Sequence, residues 1–275
     1  GLSDVEYLTN VNIFNLKDIP KRLTIIGGGF IGVEMAQAFS RFGSQVTIVH
    51  MDDQLLPSED QEASALLVKA FDKEGIAYHN STMIESVTKN AKGIITKTSA
   101  GTFVSDQLLV ATGRKPNIGS LNLDAAGVLY DQSHIMTDRF NRTNIPHIYA
   151  IGDINGKWLL THAAMHQAML SLMQALTKKE PENLDQDNYV VPRVIFTDPE
   201  IAHVGIKELE AKEAGIDYVI VKVTYESYAR TATTGALEGF VKVITDDHGK
   251  IHGFSHLAEM LVHAFLGRTV VVRHH

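Results

Sequence analysis

The sequence contains no cysteine. That excludes disulfides, thiolate metal sites and a catalytic thiol anywhere in its 275 residues. No stretch approaches the roughly 18–20 consecutive apolar residues of a membrane-spanning helix. No apolar signal-peptide core follows Gly1, so the expectation is a cytoplasmic protein without a membrane partner. Positive charge is in deficit. The 25 Lys and Arg stand against 32 Asp and Glu, a net charge of −7, which argues against nucleic acid as the main partner. No G-x-S-x-G elbow is present, because Gly253-Phe254-Ser255 lacks the second glycine. What remains is ordinary globular material: 44% hydrophobic and 21% charged, long enough for one large domain or two smaller ones. The start at Gly1 rather than Met reads as a piece with something upstream removed.

Leu23-Thr24-Ile25-Ile26 is short and apolar, as a buried parallel strand should be, and Gly27-Gly28-Gly29 breaks it. Ile31, Met35, Ala38, Phe39 and Phe42 then share one helical face, and Gly43 is a helix stop. Gln45–Val49 is a second β-branched strand, which completes a βαβ unit of about 30 residues. The spacing predicts a helix over 59–74, a β-meander over 83–105 and a strand over 107–111. It also predicts a strand over 147–151 and a helix over 160–176. Lys178 to Asn188 is polar, holds Pro181 and reads as a linker. From Val190 onward, strands at 219–224 and 240–244 flank a helix near 206–214, a separate α/β unit.

Gly27-Gly28-Gly29-Phe30-Ile31-Gly32 fits G-x-G-x-x-G, following a strand and opening a helix. Dinucleotide binding needs glycine here for three reasons. Gly27 makes the tight turn, Gly29 lets the backbone approach a pyrophosphate, and Gly32 lets the helix pack closely on the sheet. Amides at the helix N-terminus then face the phosphate charge. The bland alternative is a glycine-rich turn without a ligand. About 20 positions on, the end of the second strand should read the ribose. An Asp or Glu there indicates NAD, and an Arg nearby favours the NADP phosphate. His50 is neither: it reads equally as a solvent-facing strand cap or a ribose contact, while Asp52 can still reach a hydroxyl. NAD and NADP both stay open. His162 and His166 lie one helical turn apart, but with no third ligand in view they read as structural or cofactor-adjacent, and no metal is expected.

Five motifs occur in order: GGGFIGVE (27–34), ATGRKPN (111–117), YAIGD (149–153), LTHAA (160–164) and FTDPEIAHVG (196–205). Together they resemble the flavoprotein disulfide reductase family, nearest to dihydrolipoamide dehydrogenase and mercuric reductase. The resemblance implies an α/β architecture in parts. Residues 1–20 are a linker from an absent FAD half, 21–115 a Rossmann-like NAD(P) domain with its β-meander, 116–180 the second segment of the FAD domain, and 188–275 a truncated α/β dimerisation domain. It implies FAD and NAD or NADP as cofactors. Gly27, Gly29, Ile31 and Gly32 belong to the dinucleotide turn, with His50 at the ribose end. Phe30 corresponds to the aromatic gate over the flavin, and Glu34 to the acid near the nicotinamide carboxamide. Gly113 and Arg114 line the dinucleotide cleft. Asp153 corresponds to the carboxylate on the FAD ribityl chain, and the backbone of Thr161, His162 and Ala163 to the helix start near the flavin oxygen. Simpler readings stand beside two of these: Glu34 as an ordinary first-turn carboxylate and Asp153 as a Gly-Asp turn.

The departures from the family are equally specific. The C-x-x-x-x-C redox pair and the H-P-x-x-x-E acid–base segment are missing, and the residues from Gly267 match nothing in it. No residue of this chain is therefore expected to be catalytic. The implied parent is a homodimeric oxidoreductase acting on a small-molecule or dithiol substrate, or on a metal ion. The alternatives are an NAD(P)-binding module without turnover, or a transhydrogenase-like flavoenzyme without a dithiol.

Overall fold

Four apolar-facing residues ahead of a glycine run bury a strand and then turn it sharply. In the computed structural model, which describes residues 1–178, 189–227 and 238–257, Leu23 to Ile26 are all buried in β1 (Arg22–Ile26). Helix α1 (Phe30–Arg41) buries Val33, Ala36 and Phe39, and β2 (Gln45–Val49) runs parallel to β1 with Leu23 opposite Val46. Asp60 caps α2 (Gln61–Glu74) by accepting the Glu62 amide, and Gly75 ends it in the left-handed region. Strand β3 (Ala77–His79) pairs with β2. A meander of β4 (Ile84–Asn90), β5 (Gly93–Thr98) and β6 (Gly101–Ser105) forms its own antiparallel sheet. Then β7 (Gln107–Val110) returns parallel to β1, which gives the order β3-β2-β1-β7. Residues 1–20 pack on this sheet: the Leu8 amide donates to Leu108, and Val5, Leu8 and Ile13 are buried.

Residues Arg114–Arg193 form a compact unit of their own. It contains α3 (Leu123–Ala126), a 3₁₀ turn over Gly152–Asn155 and α4 (Thr161–Thr177), with Val128, Ile135 and Ala150 at its centre. The strand expected over 147–151 is reduced to one bridge, Tyr149 with Arg142. Two hydrogen bonds make that bridge, the Thr143 amide donating to Ile148 and the Ala150 amide to Asn141, while the Ile148 amide turns back to the Ile145 carbonyl and the pairing goes no further.

The other unit joins residues 1–113 to the described residues from 194 onward. Here β8 (Arg193–Ile195), β9 (Ile201–Gly205), α5 (Glu208–Glu213), β10 (Val219–Thr224), β11 (Phe240–Thr245) and β12 (Ile251–Leu257) follow. Their sheet order is β10-β11-β12-β9-β8. Ile195, Ile201 and Phe240 share one core with Val33, Phe39, Leu67 and Phe71, so the C-terminal sheet packs on α1 and α2. Beside this core the buried Lys242 ammonium lies 2.8 Å from Asp60 and also meets Glu208, the pairing that a buried charge requires. Most of the expected 178–188 linker, His263, His274, His275 and the tail from Gly267 lie outside the described residues.

Candidate functional site

The glycine turn is crowded on three sides and open on one. Gly27 has φ +111°, and a Cβ there would sit 2.4 Å from the Ala111 carbonyl oxygen. A Cβ on Gly32 would sit 2.0 Å from the Gly27 carbonyl oxygen. A Cβ on Gly28 would meet Leu55 at 2.6 Å and the His50 ring at 2.8 Å. Gly29 differs: no heavy atom lies within 4 Å of the equivalent position, and its backbone is extended (φ −75°, ψ −178°). Gly29 is also the N-cap of α1, and no side chain caps that end. First-turn amides of a helix lack intrahelical acceptors and carry the positive end of its dipole. Gly29, Phe30, Ile31 and Gly32 thus offer a backbone cradle that could hold a pyrophosphate. Phe30 is 42% exposed at the mouth of the turn. Gly113, with φ +132° and open space at its Cβ position, follows Ala111 and Thr112, the residues that border Gly27.

His50 is not solvent-facing. Its residue is 8% exposed, and its Nδ1 accepts the Gly28 amide at 3.0 Å. An accepting Nδ1 puts the proton of the neutral ring on Nε2, which lies 3.2 Å from the Asp52 carboxylate. Burial pushes the imidazole below its ordinary value, against the pull of Asp52, and keeps it neutral at pH 7.

Glu34 sits one turn into α1, and its Oε1 accepts the Phe196 amide at 2.9 Å. Desolvation raises its carboxyl above the usual range, and the Phe196 hydrogen bond opposes this. Two residues missed by sequence reasoning continue the same face. Gln37 donates to the Asp198 carbonyl at 2.8 Å and accepts the Asp198 amide at 2.7 Å. Arg41 pairs with the carboxylates of Asp198 at 2.6 Å and Glu74 at 2.7 Å. The i, i+3, i+7 spacing was visible, but the partner segment lies some 160 residues away. Through these contacts α1 carries the glycine turn at one end and grips the 196–198 segment along its side.

In the Arg114–Arg193 unit, Arg114 and Asp153 meet as an ion pair at 2.9 Å, and Arg114 also donates to the Leu159 carbonyl at 3.1 Å. A buried amide network holds the Asp153 turn from behind. Gln167 Oε1 accepts the Gly152 amide at 2.6 Å, and Asn155 Nδ2 donates to Gln167 and to the Ala150 carbonyl, each at 3.2 Å. Asn141, fully buried with φ +66°, donates to Ser171 at 3.1 Å. Sequence reasoning missed all of these; Asn and Gln at scattered positions carry no pattern. Helix α4 starts at Thr161 with no side-chain cap, while Ala163 is buried beneath it. The Asp153 carboxylate and the α4 N-terminus could accept and donate, respectively, to a polar cofactor such as FAD. His162 donates from Nε2 to the Pro192 carbonyl at 2.7 Å, and His166 stacks on Tyr189 at 3.7 Å. Among the described residues no group of three or more His, Asp or Glu is placed to hold a metal ion, and no helix is long and apolar enough to cross a membrane.

Residues 1–168 match the family described as pyridine nucleotide-disulphide oxidoreductase, and residues 191–273 match that family's dimerisation domain, which corrects the expectation that the residues from Gly267 match nothing in it. The chain is similar to a dihydrolipoyl dehydrogenase of Chlorobaculum tepidum, 36% identical over 244 residues, covering 87% of this chain and 51% of that protein. It is equally similar, 36% over 251 residues, to a mercuric reductase of Lysinibacillus sphaericus, covering 90% of this chain and 45% of that protein. Among solved structures, the HOCl-induced flavoprotein disulfide reductase RclA from Escherichia coli superposes with a TM-score of 0.84 at 26% identity. That match covers 94% of this chain and 60% of the other. The chain spans about half the length of the curated relatives it matches.

Proposed function

The chain belongs to the pyridine nucleotide-disulphide oxidoreductase family, and from that premise we propose that it carries the NAD(P)-binding module and the second flavin-contacting segment of an FAD-dependent NAD(P)H oxidoreductase. The observation that supports this most is the glycine turn, closed to side chains at Gly27, Gly28 and Gly32 and open at Gly29. Residues 21–115 hold the dinucleotide, its pyrophosphate over Gly29 and the amides of Phe30, Ile31 and Gly32, beside Gly113. Phe30 shields the place the nicotinamide enters, and Glu34 orients its carboxamide. In residues 116–180, Asp153 accepts a ribityl hydroxyl beside Arg114, and the Thr161–His162–Ala163 amides face electron-rich oxygen. When bound, FAD supplies a two-electron acceptor for the hydride of NAD(P)H. Residues 188–275 make the whole protein a homodimer.

The electron acceptor is a dithiol, a disulfide or a metal ion, as the names of the relatives differ on this point. A second reading has one observation in its favour: with no cysteine in 275 residues, thiol-to-flavin chemistry has no group in this chain. The chain is then a binding module without turnover, or part of a flavoenzyme that needs no dithiol. Calorimetric titration with NADH and NADPH, followed by FAD addition and desalting, tests the proposal. Saturable binding of one dinucleotide supports it. Binding of neither rejects it. Sustained NAD(P)H oxidation by the FAD-loaded chain rejects the binding-module reading.

A further inference from the structure

His50 occupies the strand-end position that reads the ribose in dinucleotide folds, yet its ring is spent elsewhere. Gly28 is held at both of its backbone groups. Its amide donates to His50 Nδ1 at 3.0 Å, and its carbonyl accepts the Leu56 amide at 2.8 Å. The imidazole also forms the wall against which Gly28 lies, since a Cβ there would meet the ring at 2.8 Å. The ring in turn is fixed through its own backbone, which donates to His79 and accepts from Thr82, each at 2.8 Å.

Resting on the dinucleotide reading of the glycine turn, we propose that His50 is a positioning residue of that turn: its neutral ring anchors the Gly28 amide and so sets the opening at Gly29 through which a pyrophosphate approaches. Protonation reverses the contact. A hydrogen on Nδ1 faces the Gly28 N–H, two donors meet where one bond stood, and a positive charge is added behind a helix N-terminus that is already positive. The neighbouring elements offer little to compensate. The 51–56 loop brings one carboxylate, Asp52, 3.2 Å from Nε2 on the far side of the ring, and the backbone of Gln54. Strand β3 brings His79, whose own ring lies against Phe103 at 4.7 Å. The glycine turn brings amides, and Leu55 an apolar contact.

The test uses the whole 275-residue chain, with affinities for NAD⁺ and NADP⁺ measured at pH 8.0 and then, for the one that binds, down to pH 5.5. Wild type is expected to weaken as pH falls below 6.5 and His50 protonates, toward a limit of ~10-fold, the loss of one buried hydrogen bond. His50→Asn places an amide oxygen where Nδ1 stood but cannot titrate. It is expected to bind within ~3-fold of wild type at pH 8.0 and to keep a nearly flat profile. His50→Leu, which removes the acceptor, is expected to bind ~10-fold more weakly at every pH while its circular dichroism stays that of wild type. If the leucine variant fails to fold, the wild-type and asparagine profiles decide. Parallel pH profiles in those two proteins overturn the inference while leaving dinucleotide binding intact. Absence of binding by wild type at pH 8.0 overturns the reading of the turn and this inference with it.

Discussion

Two glycines three residues apart should respond to the same substitution in opposite ways. Gly29→Ala adds a methyl where no heavy atom lies within 4 Å, on a backbone (φ −75°, ψ −178°) that alanine adopts without strain. The unfolded chain loses freedom, a gain of about 0.4–1 kcal/mol, while alanine caps the helix less well than glycine by a similar amount, so stability should change by less than about 1 kcal/mol. The methyl then occupies the pyrophosphate approach, and dinucleotide affinity should fall at least ~10-fold, or ~1.4 kcal/mol. Gly32→Ala places its methyl 2.0 Å from the Gly27 carbonyl oxygen, a backbone atom. Ordinary contact needs over ~1 Å more, so α1 must lift from β1, an overpacking cost of about 1–3 kcal/mol. Urea unfolding and a fluorescence titration with NADH, run on both variants, separate the effects. The expected pattern is intact stability with lost binding for Gly29→Ala, and lost stability for Gly32→Ala. A Gly29→Ala protein that binds NADH like wild type would refute the assignment of that opening to the phosphates.

Other substitutions probe the supports of the site. Gln37→Leu leaves the Asp198 amide and carbonyl without their partner and should lower stability by about 1–3 kcal/mol, read as a lower urea midpoint with an unchanged slope. Asn155→Leu should cost about 1–3 kcal/mol and speed hydrogen exchange at the Gly152 amide, because the Gln167 side chain that holds it loses its own donor. The histidine pKa directions set a pH dependence. Burial holds His50 and His166 below the ordinary imidazole value of 6.5 in the folded chain, so the unfolded chain takes up protons that the native chain refuses. Stability should therefore fall as pH drops from 6.5 toward the lowered folded values, measurable by urea midpoints from pH 8 to 5. Glu34 runs the other way: its folded carboxyl is raised above 4.5, so its contribution is full below 4.5 and lost as pH rises through the folded value. Glu34→Gln keeps an oxygen for the Phe196 amide and should raise the urea midpoint at pH 8, an effect absent at pH 4.

The glycine turn, the crossover around it and the meander were legible because each shows a period or a breaker that local physics requires. Val87, Ile94 and Thr96 alternate inward with Asn90 and Gly101 at the turns. The strands that escaped notice did so for physical reasons. β3 and β8 are three residues each, too short to show alternation. β9 and β12 carry His203 and Ser255 into a buried position, where the pair meets at 2.8 Å and satisfies itself. Polarity that reads as surface in a list of residues is tolerable inside once its partner is found, and a partner 52 residues away has no local signature. His50 illustrates the same limit at the site. Its position was visible, but whether its ring faced solvent, ribose or Gly28 depended on the path of residues 51–56. The Arg114–Asp153 pair was named residue by residue through family resemblance; nothing in its spacing predicts that the two side chains touch.

The proposed seat of a dinucleotide phosphate is the Gly29 end of α1. Amide chemical-shift mapping of the isotopically labelled chain, with NADH or NADPH added to saturation at pH 8, tests it directly. The largest shifts are expected at Gly29, Phe30, Ile31 and Gly32, with a further shift at Gly28. Saturable binding whose largest shifts fall elsewhere, or spectra unmoved by either dinucleotide, would contradict it.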